Sequence, residues 1–284
     1  MSWIFYSISA TLLFGIGGTL YKLPANRGDG KLVTTFYSMF VPFVISLVAF
    51  RHHLTPITPA LIWTSIGWAC FFLVVRLLYI ESYHRNVDTN ALTPITGALS
   101  LIGSVAIGIV AFHDRLSHVQ WIGVALALLA VVLFLWQRKS LSFSRVVVWL
   151  SLLIPVFSLA YKTVQKIATN HVDIYAFQTY SFGIGALLAL ILFAAVHRKG
   201  FAQFFQNLHP QQSLSGFLIG CVSFLGGILY LLALQKGPFA LVSTIHALNI
   251  LVTAVCSAIV FKEKLNQSKV GLIALAIIAA ILIS

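Results

Sequence analysis

The chain reads as long apolar runs separated by short polar stops. Ten runs fall near residues 3–21, 33–50, 60–80, 89–112, 118–136, 146–164, 174–196, 213–234, 239–261 and 267–284. Each is close to the roughly 20 residues that a helix needs to cross a bilayer core of about 30 Å. None shows the strict alternation of a membrane barrel strand, and a helix satisfies its own backbone in lipid, so the pattern predicts ten transmembrane helices. The stops carry turn residues: Gly28-Asp29-Gly30, Pro56 with Pro59, Asn86-Val87-Asp88, residues 137–144 and Gly237-Pro238. None can hold a soluble domain. The longest, residues 197–212, carries Phe201, Phe204 and Phe205 and is expected to lie as a short amphipathic helix in the interface.

The pattern repeats. Residues 12–22, LLFGIGGTLYK, return as LLIPVFSLAYK at 152–162. Tyr37-Ser38 returns as Tyr180-Ser181, Cys70 and Tyr79 as Cys221 and Tyr230, and Ala98-Leu99-Ser100 as Ala247-Leu248-Asn249. Phe112-His113-Asp114-Arg115-Leu116 returns as Phe261-Lys262-Glu263-Lys264-Leu265, and Gly123 corresponds to Gly271. The order never changes, which points to two five-helix units, residues 1–139 and 140–284. Because five is odd, the halves must sit upside down relative to each other. The predicted fold is an all-α integral membrane protein built of two inverted repeats.

Composition agrees. The 284 residues are 60% hydrophobic and 8% charged, where a soluble chain carries about 25% charged residues. A net charge of +12 does not imply nucleic acid here, since the cations are scattered between apolar runs, where they meet the headgroups of the lipid bilayer. The three cysteines lie inside apolar runs and read as small packing residues. The first run has no basic residue before it and no convincing cleavage site, and is read as a retained span. Twelve lysines and arginines fall in odd-numbered connections and five in even-numbered ones, which by the positive-inside rule puts both termini outside.

Residues 229–265, LYLLALQKGPFALVSTIHALNILVTAVCSAIVFKEKL, resemble the signature of the EamA-type drug/metabolite transporters. Residues 78–116 repeat it more weakly, and Phe14-Gly15 followed by Lys22 is similar to that family's opening helix. The resemblance spans essentially the whole chain. It implies a secondary transporter, an exporter of the plasma or inner membrane with both termini in the cytoplasm, against the charge count. It also implies no enzymatic activity, no cofactor, and a small-molecule substrate, with amino-acid-type compounds first. Ser100 and Asn249 stand where the family has a mid-helix proline, which removes a likely kink from the fourth and ninth helices and leaves two hydrogen-bonding side chains.

Ionisable groups inside a membrane are costly and tend to face the bundle interior. The acidic residues are Asp29, Glu81, Asp88, Asp114, Asp173 and Glu263, none in the middle of a predicted helix. The first helix has no carboxylate, so a lipophilic-cation substrate is disfavoured. Metal transport is disfavoured too, for lack of clustered ligands. The basic groups nearest the interior are Lys22, Arg76 and Lys162. The two lysines either snorkel to the headgroups or each guard one mouth of the pathway. Arg76 stands where the second half has Gly227; its expected partner is Glu81 or a neighbouring carboxylate, and its fork suits a carboxylate or phosphate. Tyr37, Ser100, Tyr180, His246 and Asn249 are candidate polar pathway residues, His246 and Asn249 sharing one helix face. Tyr79 and Tyr230 join them as candidates, although belt tyrosines are also expected at helix ends. Asp114 and Glu263 read as structural hinge residues, and Gly216 with Gly220 as a helix-packing GxxxG. The residues point to a carrier of a small anionic, zwitterionic or neutral metabolite, served by the first to fourth and sixth to ninth helices. The fifth and tenth are left for packing or a homodimer. A nucleotide-sugar or lipid-carrier translocator is the alternative, and a membrane scaffold the non-transport one. No HExxH, GxSxG or paired buried carboxylates suggest an enzyme.

Overall fold

The computed structural model describes residues 2–21, 23, 30–54, 56–84, 89–136, 145–196, 210–260 and 267–283, and these described residues form eleven α-helices and one 3-10 turn. The helices are α1 (Trp3–Leu20), α2 (Lys31–Ala49), α3 (Pro59–His84), α4 (Thr89–Ala111), α5 (His118–Trp136), α6 (Arg145–His171), α7 (Ile174–Val196), α8 (Pro210–Lys236), α9 (Phe239–Ala247), α10 (Asn249–Val260) and α11 (Gln267–Ile283). The described residues contain no strand. Seven spans, α1, α2, α3, α6, α7, α8 and the α9–α10 stretch, are long and apolar enough to cross a membrane; Ile95–Ala111 of α4, His118–Leu133 of α5 and Ala274–Ile283 of α11 are shorter apolar segments. Residues 197–209 of the interfacial helix predicted at 197–212 lie outside the described residues, as do Lys22 and Glu263, while residues 210–212 belong to α8.

Two spans differ most from the sequence reading. The sixth does not stop near residue 164 but continues to His171, which leaves Lys162 well inside α6. The ninth span is broken at Leu248 although no proline is there. Leu248 N–H donates to Ile245 O at 3.1 Å and Leu251 N–H to Leu248 O at 3.0 Å, the tighter pattern of a 3-10 turn. Helix α1 supports the break: Thr11 Oγ1 donates to Ile245 O at 3.2 Å, and Thr253 Oγ1 donates back to Gly15 O at 2.9 Å. The approach is close enough that a Cβ on Gly15 or Gly18 would collide with Val252 or Thr253. A neighbouring helix, rather than a proline, therefore supplies the bonding that an interrupted membrane helix needs.

Neighbouring helices close a ring in the order α1, α8, α2, α7, α3, α6, α4, α9–α10 and back to α1. Exchanging the two halves converts each contact into another that is present: α1 on α8 becomes α6 on α3, and α2 on α8 becomes α7 on α3. Helices α5 and α11 pack on each other outside the ring, with Gly123 so tight that a Cβ would fall 2.8 Å from Ile283 Cγ1. The outer surface is apolar, with Val48, Trp63, Val110 and Ile259 all exposed, as lipid contact requires. Helix α9 is the opposite; every residue from Phe239 to Ala247 is buried.

The GxxxG of α8 is a packing seam against α2. A Cβ on Gly216 would sit 2.6 Å from Tyr37 Cβ and 2.9 Å from Thr34 O, and one on Gly220 2.8 Å from Val41 Cβ. Small residues let membrane helices approach like this. Gly216→Val is expected to destabilise the protein by about 1–3 kcal/mol through overpacking, seen as a lower thermal midpoint. Gly271→Ala, with nothing within 4 Å of the added Cβ, is expected to be neutral or mildly stabilising; equal losses from both would refute the seam.

Candidate functional site

The ring encloses a cavity of about 180 Å³. A single buried water needs only about 10–15 Å³ on the same measure, so the space suits a small organic solute rather than a bare ion. Its walls come from α1, α3, α4, α6, α7, α8, α9 and α10. Much of the wall is aromatic, including Phe14, Tyr21, Trp68, Phe72, Tyr161 and Phe182.

Of the residues singled out in the sequence, Arg76, Tyr79, Ser100, Lys162, Tyr230, His246 and Asn249 line this cavity. Tyr37 and Tyr180 do not. Tyr37 lies in the α2–α8 seam, and Tyr180 donates its hydroxyl hydrogen to Leu54 O at 2.9 Å, at the end of the α2 connection. Lys22 lies outside the described residues.

Arg76 is only 2% exposed, and its partners are not those expected. Nη1 donates to Ser38 O and Nη2 to Ser223 Oγ, both at 2.9 Å, and the guanidinium carbon sits 4.7 Å from the Phe72 ring centroid and 5.7 Å from that of Tyr21. Glu81 instead meets Lys31, with both side chains partly in the open. The α3 helix explains this, since residues 76 and 81 are five apart and point about 140° from each other. Lys162 does not reach a headgroup: it is 4% exposed, and Nζ donates to Ser100 Oγ at 3.2 Å. Among the described residues, no carboxylate lies within 4 Å of either cation and none lines the cavity. Two buried basic groups thus face one solute-sized space with no counter-ion among the described residues.

The remaining polar lining is hydroxyl, amide and imidazole. Tyr79 and Tyr230 are not belt tyrosines; their helices run on past them, and their hydroxyls lie 3.4 Å from Thr96 Oγ1 and 3.2 Å from Ser243 Oγ. His246 packs edge-on to Phe14, with centroids 4.9 Å apart. Gln178 Nε2 donates to Phe224 O at 3.0 Å. The sequence reading passed over Tyr21, Tyr161, Gln165 and Ser223. The first two carried a signal, since each precedes a lysine in the repeated Tyr-Lys, and both line the cavity.

At the far end of α4 and the start of α9, Asp114 is more than a hinge within its own loop. Asp114 N–H donates to Gly108 O at 3.0 Å, closing α4 with His113 at φ 56° in the position where helices commonly end on glycine. Its Oδ2 accepts from Ala240 N at 2.7 Å, capping α9, whose own N-cap, Pro238, offers no side-chain acceptor. Lys166 Nζ reaches the same turn, donating to Leu234 O at 2.6 Å and to Gly237 O at 3.1 Å. Burial pushes the Asp114 carboxyl above its usual range, opposed by the Ala240 amide, the Lys166 charge and the Phe239 amide.

A wholly helical bundle that closes a ring around a solute-sized polar cavity is built as a multi-span membrane transporter. The model of the EamA-like transporter family matches residues 145–284, and through that half the chain belongs to this family, within the drug/metabolite transporter superfamily. No curated protein matches the sequence. Among solved structures, a chain described only as "Crystal structure of protein" superposes with a TM-score of 0.71 over 96% of this chain and 97% of its own length. It is 13% identical, and the likeness is one of fold.

Proposed function

We propose that the protein is a secondary carrier that exports a small anionic or zwitterionic metabolite across the plasma or inner membrane, without catalysing a reaction. The observation that carries this reading is the pairing of Arg76 and Lys162 in one cavity with no carboxylate beside them among the described residues. Buried cations without a carboxylate partner are costly, and an anion entering the cavity offsets that cost. Amino-acid-type solutes, which bring a carboxylate, are the first class to try. Two five-helix repeats, residues 1–139 and 140–284, inverted with respect to each other, support alternating access by rocking of one half against the other. The exchange symmetry of the ring contacts favours this reading.

Uptake of labelled amino acids and organic acids into proteoliposomes, with and without a proton gradient, tests it. Movement of at least one anionic or zwitterionic solute above protein-free vesicles is the expected result. Movement of none of them would leave the scaffold reading and the phosphate-solute reading below. A nucleotide-sugar or lipid-carrier translocator is the second reading, favoured by the guanidinium fork of Arg76, which matches a phosphate. It predicts that a phosphate-bearing solute alone is moved.

A further inference from the structure

We infer that the solute is an organic dianion whose two anionic groups stand at opposite ends of an apolar body, one for Arg76 and one for Lys162. This rests on the anionic-carrier reading and goes on to fix the number of charges and their separation.

The two cations share a cavity, but their charged ends are held on different sides of it. Arg76 grows from α3, yet its guanidinium is drawn to α2 by Ser38 O and to α8 by Ser223 Oγ, both at 2.9 Å. Lys162 grows from α6, the ring neighbour of α3, and its ammonium is drawn the other way, to Ser100 on α4 at 3.2 Å. In the ring, α4 stands four positions from α2 and three from α8, which is opposite or nearly so in a ring of eight spans. The charges diverge although their parent helices touch. A single carboxylate cannot occupy both places.

Charge balance leads to the same count. A monoanion would leave one cation buried and unpaired, and each such charge carries a penalty that water no longer relieves. A dianion offsets both. Each cation keeps donors to spare: an ammonium has three and Lys162 makes one bond; a guanidinium has five and Arg76 makes two. Aromatic side chains, among them Phe14, Tyr21, Phe72 and Tyr161, supply the apolar wall for the middle of the solute.

The test compares matched probes on the full-length protein in detergent, by thermal shift and by isothermal titration. Terephthalate is set against benzoate, pimelate against hexanoate, and glycerol 3-phosphate serves as a compact dianion. The expected result is that the dicarboxylate of each pair binds at least tenfold more tightly than its monoanion, since one additional charge-assisted contact is worth about that much. In Arg76→Gln and in Lys162→Gln that ratio is expected to fall to about one, while Lys162→Arg keeps it. The wild-type ratios carry the inference even if a variant fails to fold. Equal binding of dicarboxylate and monoanion overturns the inference and leaves the anionic carrier standing. Tightest binding of glycerol 3-phosphate keeps the charge count and overturns the separation. Binding of no anion overturns both readings.

Discussion

Lys162→Gln is expected to slow transport by about ten- to a hundredfold while the protein still folds and inserts. The side chain is 4% exposed, makes one protein hydrogen bond, to Ser100 Oγ, and faces the cavity with its other donors. Glutamine retains a donor for Ser100, so what is lost is the charge presented to the solute. Contacts of that kind, charged and desolvated, are worth about 1.5–3 kcal/mol, and a factor of about ten accompanies each 1.4 kcal/mol. Lys31→Gln is the matched control: its ammonium meets Glu81 at a helix end, with 42% of the lysine side chain exposed. Pairs that open contribute about 1 kcal/mol or less, and transport is expected to stay within twofold of wild type. Initial rates in proteoliposomes, normalised to protein inserted, make the comparison. A Lys162→Gln carrier running at the wild-type rate would take the ammonium out of the solute path.

The same lysine shows how far a sequence can be read. Ten spans were legible because apolar runs of membrane length are produced by the bilayer itself and need no tertiary information. The rule that finds them also misplaces Lys162. The predicted run ends at residue 164, just past Lys162, where polar residues gather, yet α6 continues to His171, with Gln165, Ala168 and Thr169 buried in the bundle. Buried polar residues make the tail of a span look like a loop. Arg76 was recognised as interior, but its partners were not legible: a backbone carbonyl on α2 and a serine 147 positions away on α8. Glu81 was nearer in sequence but on another face of the helix. Tyr37 and Tyr180 repeat faithfully between the halves and still lie away from the cavity, because symmetry in a repeat protein preserves packing seams as well as sites. The break at Leu248 depends on hydroxyls of α1 and α10, Thr11 and Thr253, so no local signal marked it.

Asp114→Asn and Asp114→Ala are expected to shift the carrier in opposite directions. The contact of Asp114 Oδ2 with Ala240 N at 2.7 Å joins the loop after α4 to the start of α9, and around it that end of the bundle is closed. Phe112 and Phe239 pack with centroids 5.0 Å apart, and a Cβ on Gly108 would lie 2.8 Å from that of Ala240. In the proposed alternating access, rocking one half against the other opens this end at some point in the cycle. The carboxylate gains the Ala240 amide and the field of Lys166 on α6, while Lys236 at the end of α8 is turned onto the Tyr6 ring of α1, 5.2 Å away. Against these gains it loses hydration, and the loss prevails, because its pKa is raised. Asparagine can accept the same N–H with no charge to dehydrate, so it should hold this mouth shut. Alanine leaves the amide without an acceptor, a loss of about 1 kcal/mol as for other caps, or about fivefold in the equilibrium. The readout is labelling of Ser158→Cys, in the cavity wall, by an impermeant maleimide from the Asp114 side, with Cys70, Cys221 and Cys256 replaced. Labelling should fall in the asparagine variant and rise about fivefold in the alanine one. Acid gives the sign independently. A pKa raised in the closed state means that closure is favoured below the carboxyl's solvent value and weakens as pH rises through the raised one. Labelling of the parent should therefore slow as the pH falls into the carboxylate range, after correction for the reagent's own pH dependence, and the asparagine variant should show no such change. A shift of both variants in the same direction would mean that the Asp114 contact braces the fold and does not gate it.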